Sequence, residues 1–151
     1  MTKLFLTLHV LAAIVAVGPV TVAASMFPPA LRRAHRSPDD PGARATLATL
    51  HRVCRVYAAL GIAVPVFGFA TASSLGVLGS AWLIASVVLT AAAAAILALA
   101  ILPAQERALA PGGGGAVAAA GRLSVLAGVF NLLWATVTVL MIVRPGSTTG
   151  A

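Results

Sequence analysis

The side chain best suited to chemistry is His9, which lies in an apolar run, from Leu4 to Phe27, that contains no Asp, Glu, Lys or Arg. An ionisable side chain inside a membrane segment is a candidate functional residue, because keeping it there is costly. Its imidazole could bind haem iron, with Met141 or a second copy of the chain supplying the other axial ligand. The structural alternative is a neutral histidine with one hydrogen-bond partner, and we prefer it.

Small hydroxyl side chains at a similar depth could be that partner. At a rise of about 1.5 Å per residue, His9 lies roughly 9 Å from the start of its helix. By the same arithmetic a polar layer would comprise His9, Thr71, Ser86, Thr136 and Thr138. Asn131 lies nearer to the middle of its helix, and we interpret it as an interhelical hydrogen-bond donor rather than a ligand.

A second group of polar side chains surrounds the start of another apolar segment. His51 and Cys54 are spaced i, i+3, and His35 precedes them. Three such ligands could hold a soft metal ion, but metal sites usually show tighter pairs and a fourth ligand. The alternative is a helix end at which Arg52 and Arg55 meet lipid phosphates and Cys54 is a small buried residue. We therefore predict no metal site and assign no catalytic residue.

The acidic residues also restrict the function. Asp39, Asp40 and Glu106 are the only carboxylates, and all three lie outside the apolar segments. No carboxylate is therefore available within the membrane to carry a proton or bind sodium, which argues against an ion-coupled transporter working alone. We find no serine and histidine pair with an orienting acid, so a hydrolase is not indicated either.

Four apolar segments must position these side chains. They span about residues 4–27, 56–75, 81–102 and 123–143, and each has the length of roughly 20 residues that a membrane helix requires. Hydrophobic residues make up 60% of the chain and charged residues 9%, whereas a soluble domain averages about 25% charged residues. The sequence predicts one all-α domain over residues 1–151, a polytopic membrane protein with four transmembrane helices in an up-down bundle.

Basic residues set the predicted orientation. The expected loops, about 28–55 and 103–122, contain eight of the ten Lys and Arg residues, and the other two are Lys3 and Arg144. Loops rich in Lys and Arg remain in the cytoplasm, which leaves the N and C termini outside. The net charge of +7 is explained by this anchoring and by attraction to anionic lipids. The predicted partners are therefore the lipid bilayer, and itself or another membrane protein, but no nucleic acid.

Small residues at helical spacing predict where the helices pack. The pairs are Ala12 with Ala16, Gly61 with Gly68, and Gly68 with Ala72. Small side chains let helix backbones approach closely, and helices in lipid associate largely by that route.

Several runs of the sequence resemble a known family. They are LHVLAAIVAVGP, which includes His9 and ends at Pro19; Pro65 and Thr71; Trp82 with the later LTAAAAAILALAILPAQERAL; and LMIVRP, which ends at Pro145. On these runs, which cover all four helices, the chain resembles the bacterial integral membrane proteins grouped as the domain of unknown function family 2269. The resemblance implies a multi-pass, four-helix protein of the bacterial inner (plasma) membrane and no established activity. A more distant likeness to haem- and copper-related four-helix membrane proteins rests on His9 alone.

Two functions are compatible with these features. The first, which we prefer, is a non-enzymatic helical bundle that acts as an accessory or oligomerising membrane subunit. The second is a haem- or ligand-binding redox membrane protein that uses His9. Apart from this haem, we expect no cofactor.

The orientation can be tested by labelling cysteines in intact cells, in a Cys54→Ser background. Because Ser37 lies in the basic, cytoplasmic loop, Ser37→Cys should be shielded from a membrane-impermeant thiol reagent. Ser147→Cys, after the last helix, should be labelled. The opposite labelling pattern would refute the assignment.

Overall fold

The computed structural model describes residues 1–110 and 116–146, which form helices joined by short links. The helices are α1 (Thr2–Arg36), α2 (Pro41–Leu60), α3 (Ala63–Leu75), α4 (Ala81–Ala95), α5 (Leu102–Leu109) and α6 (Ala116–Val143). A π-helical segment (Ile96–Ile101) joins α4 to α5. No strand occurs in the part of the chain that is described.

Four helical spans are long and apolar enough to cross a membrane. They are α1, α2 with α3, α4 through α5, and α6. Large apolar side chains cover their outer surfaces; Leu99 and Ile142, for example, are 77% and 74% exposed. Such a surface suits hydrocarbon rather than water. The predicted fold class, an all-α protein with four membrane-length helices, is confirmed.

The first expected loop differs from the structure, because most of residues 28–55 are helical. Helix α1 continues through Pro28 and Pro29 to Arg36, and α2 begins at Pro41. Only residues 37–40 connect the two helices. Asp40 caps α2, since its Oδ1 accepts a hydrogen bond from the Gly42 N–H at 2.9 Å.

The physical reason for this extra helix is an amphipathic pattern at the start of α2. Ala43, Leu47, His51 and Cys54 recur at spacings of four, four and three residues, and all four are buried. That period places them on one helix face, and α2 packs against α1. The second expected loop, 103–122, is likewise helical up to Leu109 and from Ala116 onward.

Two spans contain irregular turns close to prolines. Between α2 and α3, Gly61 O accepts from Val64 N at 3.1 Å, because Pro65 has no N–H to complete the usual i+4 bond. In the π-helical segment, the Leu102 N–H donates to Leu97 O, five residues earlier, directly before Pro103. Prolines thus coincide with both departures from α-helical geometry.

Helix α1 is central to the packing. It contacts α2, α3 and α6, whereas α4 packs against α6. The largest fully buried side chains, such as Phe27, Leu123 and Ile101, belong to one apolar core formed by α1, α2, α4, the π-helical segment and α6. The contact between α1 and α3 brings His9 beside the second span.

Candidate functional site

His9 forms a hydrogen bond between α1 and α3. Its Nδ1 lies 2.9 Å from the backbone oxygen of Val64, and the side chain is half-buried. A carbonyl oxygen can only accept, so His9 Nδ1 carries the proton and donates it. In the neutral ring, Nε2 then has a free lone pair. The bond fixes the ring between two helices, as a structural histidine requires, and also leaves one nitrogen able to bind a ligand.

Gly68 provides the space for the imidazole. A Cβ atom built at Gly68 would lie 2.9 Å from His9 Cε1 and 3.1 Å from Nδ1, closer than side chains normally pack. The glycine that we singled out as a helix-packing residue therefore accommodates a histidine ring rather than a helix backbone. Residue spacing alone does not predict that His9 and Gly68 face each other, because they lie on different helices.

The other predicted packing residues occupy varied positions. Ala16 and Ala72 are buried, at 3% and 4% exposure, and Ala12 is half-buried. Gly61 lies at the turn between α2 and α3, where a Cβ atom would be 3.1 Å from the Ala58 oxygen of its own helix.

The hydroxyl side chains of the expected polar layer bond to their own helices. The acceptors are the carbonyl oxygens four residues earlier: Phe67 for Thr71, Trp82 for Ser86, Leu132 for Thr136 and Trp134 for Thr138. Serine and threonine in helices commonly bond in this way. Among the described residues, none of these hydroxyls forms a hydrogen bond with His9. The layer is therefore not a connected hydrogen-bond network.

Asn131 forms a second interhelical hydrogen bond. Its Nδ2 donates to Ser25 Oγ at 3.0 Å, which joins α6 to α1, in the role that we assigned to it. Met141, the proposed second haem ligand, is half-buried, and its backbone oxygen accepts from Arg144 Nε at 3.3 Å. The haem pair of His9 and Met141 stays a prediction.

A buried polar cluster joins α2 to α5. The fully buried Gln105 accepts a hydrogen bond from His51 Nδ1 at 3.0 Å and donates to Cys54 Sγ at 3.6 Å. The Glu106 carboxylate lies 3.7 Å from His51 Nε2. His35, by contrast, is exposed on α1. Within residues 1–110 and 116–146, no group of three His, Cys, Asp or Glu side chains could hold a metal ion.

Gln105 is a functional residue that the sequence analysis does not predict. Residues 103–122 are expected to form a loop, whereas Gln105 lies buried in α5 between His51 and Cys54. The sequence feature that could have identified Gln105 is its amide side chain, two residues after Pro103 at the end of an apolar segment.

The fold defines a class: an all-α protein whose four apolar helices have the length of membrane spans. Comparisons with protein-family models, with curated proteins and with solved structures found no match. The resemblance to family 2269 therefore stays a prediction.

The contact between His9 and Gly68 predicts a difference between two glycine variants. Gly68→Leu should lower the melting temperature in mild detergent, because overpacking costs about 1–3 kcal/mol and here also separates His9 from Val64. Gly18→Leu is the matched control, since a Cβ there meets nothing within 4 Å. Equal melting of the two variants would show that Gly68 does not lie against the imidazole.

Proposed function

We propose that this protein is a non-enzymatic four-helix module of the bacterial plasma membrane, with both termini outside, that associates with a second copy or another membrane protein. The single observation that carries the proposal is the unpartnered outer face of α4. The topology rests on the distribution of basic residues, and the bacterial setting on the family resemblance.

The α4 outer face consists of Ile84, Val88, Ala91 and Ala95. All four residues are exposed, and spacings of four, three and four residues place them on one side of the helix. The opposite side of α4 is buried, and the helix packs against α6. Two alanines, one turn apart, allow another helix to approach closely, which favours association in lipid.

The use of the polar side chains also supports a structural role. His9 and Asn131 join α1 to its neighbours, and the Asp40 carboxylate caps α2. Glu106 faces His51 at the end of the bundle. These groups are engaged in holding the fold, which leaves few of them to act on a substrate.

The alternative is a haem- or ligand-binding protein that uses His9, and one observation favours it. Histidines that bind metal ions usually donate their other ring N–H to a carboxylate or a backbone carbonyl, as His9 Nδ1 does to Val64 O. This function also needs a second ligand, from Met141 or from another copy of the chain.

The proposed association predicts the mass of the complex extracted from membranes. In mild detergent the complex should exceed the 15.1 kDa chain, and Ala95→Leu should dissociate it because leucine keeps the helices apart. Ala135→Leu, an equal change at an exposed position of α6, should leave the mass unchanged. A wild-type monomer, or the same loss in both variants, would contradict an interface on α4.

A further inference from the structure

A groove of about 500 Å³ lies between the end of α1 and the start of α2. This volume falls in the range of about 300–1,000 Å³ that is typical of small-molecule sites. Met26, Pro29 and Leu50 give the groove an apolar part, and Arg33 and Asp40 also line it. The groove therefore combines apolar surface with one positive and one negative charge.

The apolar and charged parts of the groove lie at different depths. Helices α1 and α2 pack side by side and are joined by residues 37–40 alone, so they run antiparallel. Met26 precedes Arg33 by seven residues, which is about 10 Å along a helix, and Leu50 is likewise further from the link than Asp40. Met26 also lies at the end of the first apolar segment. The apolar part is thus level with the edge of the hydrocarbon, and the charged part is level with the lipid headgroups.

Both charged side chains have bonding capacity that the fold does not use. Within the described residues, the Arg33 guanidinium forms no hydrogen bond, and it forms no ion pair with Asp40 or any other side chain. Asp40 caps α2 through Oδ1, which accepts from the Gly42 N–H, and its Oδ2 has no partner there. A ligand that lies between the two side chains can therefore contact a cation on one side and a carboxylate oxygen on the other.

We propose that this groove binds one phospholipid whose headgroup carries a phosphate and a primary ammonium, as in phosphatidylethanolamine. The phosphate accepts hydrogen bonds from Arg33, and the ammonium donates to Asp40 Oδ2. An acyl chain lies along Met26, Pro29 and Leu50. The pair of opposite charges selects this class of lipid, because an anionic headgroup gains the contact with Arg33 but brings uncompensated negative charge towards Asp40. A choline headgroup has the same charges but no N–H to donate.

Native mass spectrometry of the purified full-length chain in mild detergent tests this site. The probes are phosphatidylethanolamine, phosphatidylcholine and phosphatidylglycerol with identical acyl chains, and the measured quantity is the dissociation constant of the first bound lipid. Asp40→Asn removes the charge but keeps the cap on α2, since asparagine caps helices about as well as aspartate does. Arg33→Gln removes the cation. Arg36→Gln is its matched control, because Arg36 is exposed on the same helix and does not line the groove.

We expect the wild type to bind phosphatidylethanolamine about fivefold more tightly than either other lipid, as one partly exposed ion pair provides. Asp40→Asn should abolish this preference. Arg33→Gln should weaken the binding of all three lipids, whereas Arg36→Gln should keep the wild-type affinities. The comparison of lipids on the wild type needs no variant, so it tests the proposal even where a substitution disturbs folding.

Four results would overturn the proposal. Equal affinity of the wild type for phosphatidylethanolamine and phosphatidylcholine would show that the ammonium is not recognised, and a preference that survives in Asp40→Asn would show that headgroup size sets it. Tightest binding of phosphatidylglycerol, or equal weakening by Arg33→Gln and Arg36→Gln, would show only a general attraction between the basic surface and lipid phosphates. None of these results depends on association through the α4 outer face.

Discussion

Hydrocarbon offers no hydrogen-bond partners, and this constraint governs the placement of almost every polar group in the four spans. Backbone groups are satisfied by helices, which explains the all-α fold. Side chains follow the same rule: His9 bonds to Val64 on the second span, and Asn131 to Ser25 on the first. Because both bonds involve α1, they help to explain why this helix contacts three others. The hydroxyls of four other residues bond to carbonyl oxygens of their own helices: Thr71, Ser86, Thr136 and Thr138.

Prolines introduce the exceptions to this rule. Pro65 and Pro103 lack an N–H, and the chain responds with an irregular turn at Gly61 and Ile62 and with the π-helical segment. Both features place residues beside a cavity of about 170 Å³ between the four spans, namely Gly61 and Ile62 from the turn and Leu97 from the π-helical segment. Two buried polar atoms of α6, Asn131 Oδ1 and the Trp134 indole N–H, have no hydrogen-bond partner within the described residues, and Trp134 also lines this cavity. Departures from regular geometry and an unsatisfied donor thus coincide at one place in the fold.

Hydropathy predicted the four spans, because a run of about 20 apolar residues has few other structural solutions. Hydropathy did not predict that residues 41–55 are helical. Arg44, Arg52 and Arg55 lower the mean hydropathy there, although the residues from Ala43 to Cys54 include a buried helix face. An amphipathic period is present there, although the basic residues favour a loop over residues 28–55.

The candidate site was only partly predictable. His9 stood out as the one ionisable residue deep in an apolar run, but its pairing with Val64 and Gly68 depends on how α1 and α3 pack. The link from His51 through Gln105 to Cys54 joins residues about fifty positions apart. Such contacts are set by tertiary packing, which residue spacing along one helix does not determine.

His9 donates a hydrogen bond between helices, and our central proposal is that this is its role and that it does not bind haem. The most direct test compares the wild type, His9→Asn and His9→Leu by absorption spectrum and melting temperature after purification from cells supplied with haem. An asparagine amide can donate from a position near that of Nδ1, whereas leucine cannot. Interhelical hydrogen bonds in membranes contribute about 0.6 kcal/mol on average and up to about 1.7. We predict a colourless wild type, with His9→Asn melting near it and His9→Leu melting lower. A Soret band in the wild type that both variants lose, with melting temperatures unchanged in the absence of haem, would contradict the account.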